Sequence, residues 1–230
     1  MAQKTVLVLG CGPNIGSSTV GTFRKSGYRV VSASRSCDGE ASDDSTMALK
    51  CDLAQPKSVE YLFKTVREEW GEPSVVVYNG CAYYPTKPEE SFNIPTENFE
   101  QQLAINTTSA FVAMREAANS FARLDGSKTL IFTGTMANEG GVPGWLTLCV
   151  GKAAGAYMID LAENVYREQD ARFHCVDERT SEGKPMFEGL GGQAHADVFL
   201  DLAERKVDLP WQVTFVSGKG YVEFPHELIL

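Results

Sequence analysis

The most constraining feature of this chain is an alternation, in which short β-branched runs are separated by longer stretches with helical spacing. Strand candidates fall at 5–9, 29–33, 47–49, 74–78, 129–133, 173–176 and 212–216, and helix candidates at 15–26, 56–70, 97–123, 146–169 and 192–205. Runs that are apolar throughout suit strands covered on both faces, and strands that alternate with helices make βαβ units. The expected fold is therefore α/β, a Rossmann-type doubly wound, seven-stranded parallel sheet with helices on both faces. Pro56 and Ser58 suit a helix start, and Gly27 and Gly71 suit helix ends.

A length of 230 residues fits one such domain, and no repeat, low-complexity tract or linker divides 1–230. The net charge of −9 argues against a nucleic-acid partner, because phosphate-binding proteins present a surplus of Lys and Arg. Six cysteines are scattered singly, without CxxC pairs or a histidine cluster, so neither a disulfide framework nor a metal site is expected. No apolar stretch is long enough to span a bilayer and the start does not resemble a signal peptide, so no membrane partner and a cytoplasmic location are expected. The segment 38–45 is acidic and polar, a solvated connection. The loop 180–192 carries four glycines and one proline between a strand and a helix, which makes it a lid candidate.

Chemistry begins where the first strand ends, in Gly10-Cys11-Gly12-Pro13-Asn14-Ile15-Gly16, followed at once by a helical pattern. Glycines at such a junction let the backbone approach a diphosphate, and the helix N-terminus offers unpaired N–H groups. The second strand ends in Ser32-Ala33-Ser34-Arg35-Ser36, with no acid to hold ribose hydroxyls. Arg35 and Ser34 suit a 2′-phosphate instead, which favours NADP(H) over NAD.

These motifs resemble the short-chain dehydrogenases/reductases along nearly the whole chain. The family's TGxxxGxG turn corresponds to Leu9 through Gly16, with Asn14 at the middle glycine, a position where asparagine tolerates a left-handed backbone. Cys51-Asp52-Leu53 looks like the acidic adenine contact, so Asp52 and Leu53 join Gly10, Gly12, Asn14, Ile15 and Gly16 as expected cofactor contacts. Tyr78-Asn79-Gly80-Cys81-Ala82 looks like a variant of the NNAG turn, which adds Asn79 and Gly80. The resemblance further implies that Asn106 holds a water in the proton relay, that Thr135 stands at the active serine, and that Lys152 bonds the nicotinamide ribose. It also implies a homodimer or homotetramer, for which the small and apolar helix positions Ala153, Ala154, Tyr157, Met158, Leu161 and Val165 offer a face.

The resemblance fails at the chemical end. Thirteen residues after Thr135, where the tyrosine of YxxxK is expected, stands Leu148, although the lysine follows as Lys152. Leucine donates no proton, so the relay needs another acid: Thr135, Lys152 with a bound water, or Tyr83 or Tyr84. The family's PG turn is replaced by Val176-Asp177-Glu178-Arg179, read either as a solvated strand end or as contacts to cofactor or substrate. Trp145, Met186 and Phe187 suggest an apolar wall for a small organic substrate. His174 and His195 have no third ligand in spacing and are read as structural or solvated, while His226, near Phe224, Pro225 and Leu228, is read as part of a tail that docks on a neighbour. The expected function is an NADPH-dependent reductase of a small carbonyl or imine with an atypical proton relay. The alternatives are an NADP(H)-binding protein without turnover and a non-redox isomerase or cyclase.

Overall fold

The computed structural model describes residues 3–37, 43–186 and 188–224. Its elements, in chain order, are β1 (Thr5–Leu9), α1 (Ile15–Lys25), β2 (Arg29–Ser34), β3 (Thr46–Lys50), α2 (Pro56–Trp70), β4 (Val75–Tyr78), α3 (Thr96–Leu103), α4 (Ser109–Phe121), β5 (Lys128–Thr133), α5 (Leu146–Tyr166), β6 (Ala171–Glu178), α6 (Gly192–Ala203), β7 (Gln212–Val216) and β8 (Gly220–Tyr221). The strands form one sheet in the order β3-β2-β1-β4-β5-β6-β7-β8, parallel except for β8.

The sheet has helices on both faces, and β1 shows why. Alternate residues of a strand face opposite ways. Leu7 and Leu9 enter a core layer with residues of α2, α4 and α5, such as Phe63, Ala113 and Ile159. Val6 and Val8 enter the other layer, with Phe23 of α1 and Phe199 of α6. All five β1 residues are buried, each apolar one stabilising the fold by about 1.5–3 kcal/mol relative to exposure.

Three expectations are corrected. The sheet has eight strands, not seven: β8 is two exposed residues that pair antiparallel with β7, after a turn in which Gly218 has a φ of 76°. A strand so short carries no periodic signal and exists because β7 offers it an open edge. The expected 97–123 helix is α3 and α4 joined by a π-helical turn, Ala104–Thr108, which contains Asn106. Finally, β6 reaches Glu178 rather than stopping at 176, and Asp177, Glu178 and Arg179 are all buried, which rules out the first of the two readings of this stretch, a solvated strand end. Of the other sequence features, part of the 38–45 connection, Phe187 and His226 lie outside the described residues.

In this topology β1 has β2 on one side and β4 on the other, so the chain order reverses there and a crevice opens at the strands' carboxyl ends.

Candidate active site

Glycine at position 10 is required by geometry. Its φ is +82°, and a Cβ there would lie 2.7 Å from the Gly80 backbone nitrogen. The turns after β1 and β4 thus press together backbone to backbone. Asn79 links three strand ends, since its Nδ2 donates to the Gly10 carbonyl at 3.0 Å and its Oδ1 accepts from Thr133 Oγ1 at 3.0 Å. A Cβ on Gly12 would meet nothing within 4 Å, so the turn leaves open space there in front of the α1 N-terminus. Gly16 sits behind the turn, where a Cβ would come within 2.7 Å of Cys11 Cα.

Asn14 does something the sequence did not suggest. Its φ is −100°, so no left-handed conformation is involved, and its side chain does not cap α1. Instead Nδ2 donates to the Leu190 carbonyl at 2.9 Å, fastening the 180–192 loop to the glycine-rich turn. The first turn of α1 keeps its N-terminus free of a side-chain cap, as an anion site needs.

A cavity of about 370 Å³ extends from Gly10 and Gly12 over the ends of β2, β3 and β4, lined by Ser34, Arg35, Asp52, Leu53, Asn79 and Gly80 among others. Arg35 is exposed at its mouth, and Asp52 is held by Ala54 N–H donating to Oδ1 at 3.0 Å. A second cavity of about 390 Å³ shares Gly12, Asn79 and Cys81 with the first and runs past Asn14 and Ile15 to Thr135, Leu148 and Lys152. Every expected cofactor contact except Gly16 therefore lines one continuous crevice. The open space at Gly12, the uncapped helix start and this length of crevice fit an extended dinucleotide.

At the far end the geometry departs from expectation. Lys152 is buried, with Nζ donating to the Thr133 carbonyl at 2.6 Å and lying 4.7 Å from the centre of the Phe132 ring. Leu148, one helical turn earlier, is part of the cavity wall. Asn106 spends both ends of its amide on the loop after β4: Ala82 N–H donates to Oδ1 at 2.9 Å, and Nδ2 donates to the Ala82 carbonyl. Both ends of its side-chain amide thus latch that loop. The π turn that carries it docks on α5 at Gly151, where a Cβ would come within 2.3 Å of Asn106 Cβ, and Lys152 is the next residue. Tyr83 lines the second cavity and packs on Trp145 with ring centres 5.2 Å apart, whereas Tyr84 lines neither cavity described here.

The residues that sequence reasoning undervalued are those ending β6. Asp177, Glu178 and His195 all line the second cavity. Arg179, fully buried, donates from Nε to Asp177 Oδ2 and from Nη2 to Glu139 Oε1 at 2.9 Å. Burial pushes the Asp177 carboxyl up to about 6, against the pull of Arg179. Glu178 Oε2 accepts from the Gly191 N–H at 2.8 Å and lies 3.5 Å from His195 Nδ1, anchoring the start of α6. Burial pushes the His195 imidazole down, favouring its neutral form. His174 is structural, its Nδ1 paired with the Pro210 carbonyl at 3.0 Å. The available signal was three charges directly after a buried strand. Which partners they meet depends on Glu139, which accepts from Arg179, and on the Gly191 N–H, which donates to Glu178, both far away in sequence.

A family model described as short chain dehydrogenase matches residues 4–178. A short chain dehydrogenase/reductase of Cryptosporiopsis sp. (strain 8999) is 42% identical over 98% of this chain and 96% of the relative. A hydroxynaphthalene reductase-like protein of Metarhizium acridum is 26% identical over 67% of this chain and 59% of the relative. Among solved structures, a metagenomic short-chain oxidoreductase in complex with NADP superposes with a TM-score of 0.79 at 19% identity, covering 94% of this chain and 98% of the other. Among the described residues no helix is long and apolar enough to cross a membrane.

Proposed function

The chain belongs to the short-chain dehydrogenase/reductase family, and on that premise we propose that it is an NADPH-dependent reductase of a small, apolar carbonyl or imine compound. The observation that carries this reading is Lys152, buried at the inner end of a crevice that begins at the glycine-rich turn. Family membership brings a nicotinamide cofactor, a small-molecule substrate and oxidoreductase chemistry; the cofactor, when bound, supplies hydride to the substrate carbon.

The residues divide the work along the crevice. Gly10, Gly12, Asn14 and Ile15 would bind the diphosphate, with Gly16 supporting the turn from behind. Asp52, Leu53, Asn79 and Gly80 would hold the adenosine side. Lys152 would bond the nicotinamide ribose once Nζ turns from the Thr133 carbonyl, and its charge would stabilise negative charge developing on the substrate heteroatom. The Thr135 hydroxyl, which lines the same cavity, would donate to that atom. Trp145, Leu148, Met186 and Leu190 form an apolar wall that excludes water and accepts a flat organic ring, in keeping with the name of the hydroxynaphthalene reductase-like relative. The test is NADPH consumption against a panel of aromatic ketones, quinones and imines. Protein that shows no uptake of NADPH or NADH by calorimetry overturns the reading.

The NADPH preference rests on Arg35 with Ser34 and Ser36 at the mouth of the first cavity, where among the described residues no carboxylate stands at the end of β2. Arg35→Ala is expected to weaken NADPH binding by about 10- to 100-fold, the size of a lost charge-assisted hydrogen bond, while changing NADH binding little. Equal loss for both nucleotides would assign Arg35 no part in the choice. A cofactor-binding protein without turnover is the second reading, favoured by Leu148 in the wall and by the engagement of both Asn106 amide ends; tight NADPH binding with no oxidation across the panel selects it.

We also read the chain as one nucleotide-binding domain that associates with itself, in a reducing cytoplasm suited to its free cysteines. Phe111 of α4 and Tyr157, Leu161 and Val165 of α5 leave large apolar side chains exposed on one side of the sheet. Leu161→Glu with Val165→Glu is expected to give a monomer in sedimentation, where the parent sediments as a dimer or tetramer. An unchanged assembly removes this face from the interface.

A further inference from the structure

Leu148 removes the family's usual acid, and the end of β6 brings a buried carboxyl to the same cavity. We propose that Asp177 is the proton donor of the reaction, a catalytic residue standing in for the phenol that Leu148 lacks; the proposal rests on the reductase reading.

Strand geometry places it. The two-residue period of β6 puts Asp177 on the sheet face of Phe173 and Cys175, the layer covered by α5, and puts Glu178 on the face of Val176 with His195 of α6. Lys152 reaches that same face from α5: Asp177 and Lys152 act with opposite sign on the Cys175 thiol. Asp177, Lys152, Thr135 and Leu148 line one cavity. The carboxyl is held at one end only, because Oδ2 accepts from Arg179 Nε while Oδ1 has no hydrogen-bond partner among the described residues. One oxygen is anchored; the other is available to a substrate in the cavity.

The surroundings suit a donor. Asp177 is 4% exposed, and loss of hydration raises its affinity for a proton to a midpoint of about 6. Arg179 and Lys152 oppose that shift, but Arg179 also serves Glu139, whose own charge raises it. Glu178 and His195 lie on the other face of β6, paired with each other. When the substrate carbonyl is reduced, its carbon gains hydride from the reduced nicotinamide dinucleotide, which is thereby oxidised, and the C=O π pair moves to oxygen. The Asp177 O–H bond breaks, its proton joins that oxygen, and the electron pair stays on the carboxylate beside Arg179. After the product leaves, a proton taken up from bulk solvent restores the acid.

The test compares the wild-type protein with Asp177→Asn and with Asp177→Asn/Leu148→Tyr. Asp177→Asn is expected to lower kcat by about 100-fold or more, the usual worth of a general acid, with NADPH affinity retained. Wild-type turnover should fall as pH rises above about 6, and the double variant should regain activity with that fall moved to higher pH. A readout independent of turnover is stability against pH without cofactor. The folded carboxyl holds its proton more tightly than the unfolded one, so the stability it contributes is present below the unfolded value of 3.8 and is lost as pH rises through about 6. The wild type should therefore lose stability relative to Asp177→Asn across that window and stay level above it. Wild-type kcat and pH profile in Asp177→Asn, or a stability difference independent of pH, overturns the proposal. If Asp177→Asn does not fold, Asp177→Glu serves: a displaced pH profile supports the assignment, and a wild-type profile overturns it. A wild type that takes up NADPH and turns over while Asp177→Asn matches it removes Asp177 alone, whereas a wild type that binds no nicotinamide nucleotide removes the reductase reading beneath it.

Discussion

Lys152→Met is expected to reduce NADPH-dependent turnover by about 10²- to 10⁴-fold, the range in which loss of a positioned charge or proton-relay group usually falls. Met keeps most of the side chain's volume and flexibility, so the packing of α5 on β5 survives. What disappears is the ammonium that donates to the Thr133 carbonyl at 2.6 Å and faces the Phe132 ring. Leaving that carbonyl without its donor costs about 1–3 kcal/mol, partly offset because no ammonium then has to be buried. Turnover and thermal unfolding should thus separate, with a large fall in rate and a modest change in Tm. Turnover within a few-fold of the parent would remove Lys152 from the chemistry and with it the observation on which the reductase reading stands.

The largest structural effect is expected from Gly10→Ala. A residue with a side chain pays about 1–2 kcal/mol for the left-handed backbone at φ +82°. The new methyl would also meet the Gly80 nitrogen at 2.7 Å and the Asn79 carbonyl carbon at 2.9 Å, backbone atoms that cannot rotate away. Overpacking of this kind adds about 1–3 kcal/mol, and for a chain of this size the total corresponds to a fall in Tm on the order of 10 °C. Gly12→Ala is the contrasting case, since its methyl meets nothing within 4 Å but stands in the crevice. It should leave Tm nearly unchanged and weaken NADPH binding. Equal thermal stability of the two variants would mean that the turns after β1 and β4 do not depend on this close approach.

Much of this was open to reading from the residues. β1 and β7 run as the β-branched pattern indicates, and α2 begins at Pro56 and stops at Gly71, whose φ is 84°. The crevice residues were legible too, because a strand, a glycine-rich turn and a helix are consecutive in the chain and their geometry is local. The β6 end was not. Three consecutive charges look solvated until Glu139, Gly191 and His195, each from a different part of the chain, are found supplying their partners. The π turn at Asn106 escaped for a similar reason, since its residues suit an ordinary helix and the amide's two bonds to Ala82 cross from one element to another.

The sequence by itself determined the succession of strands and helices, the glycine-rich junction and the absence of the usual phenol at Leu148. Periodicity, turn chemistry and residue identity act over a few neighbouring residues and are written in their order. Only the tertiary structure decided that Asn14 ties down the loop before α6, that Tyr83 rather than Tyr84 meets the cavity, and that Asp177 is a buried carboxyl lining the same cavity as Lys152. Burial and hydrogen-bond satisfaction depend on which distant segments meet, and a carboxylate's affinity for its proton follows from the water it has lost.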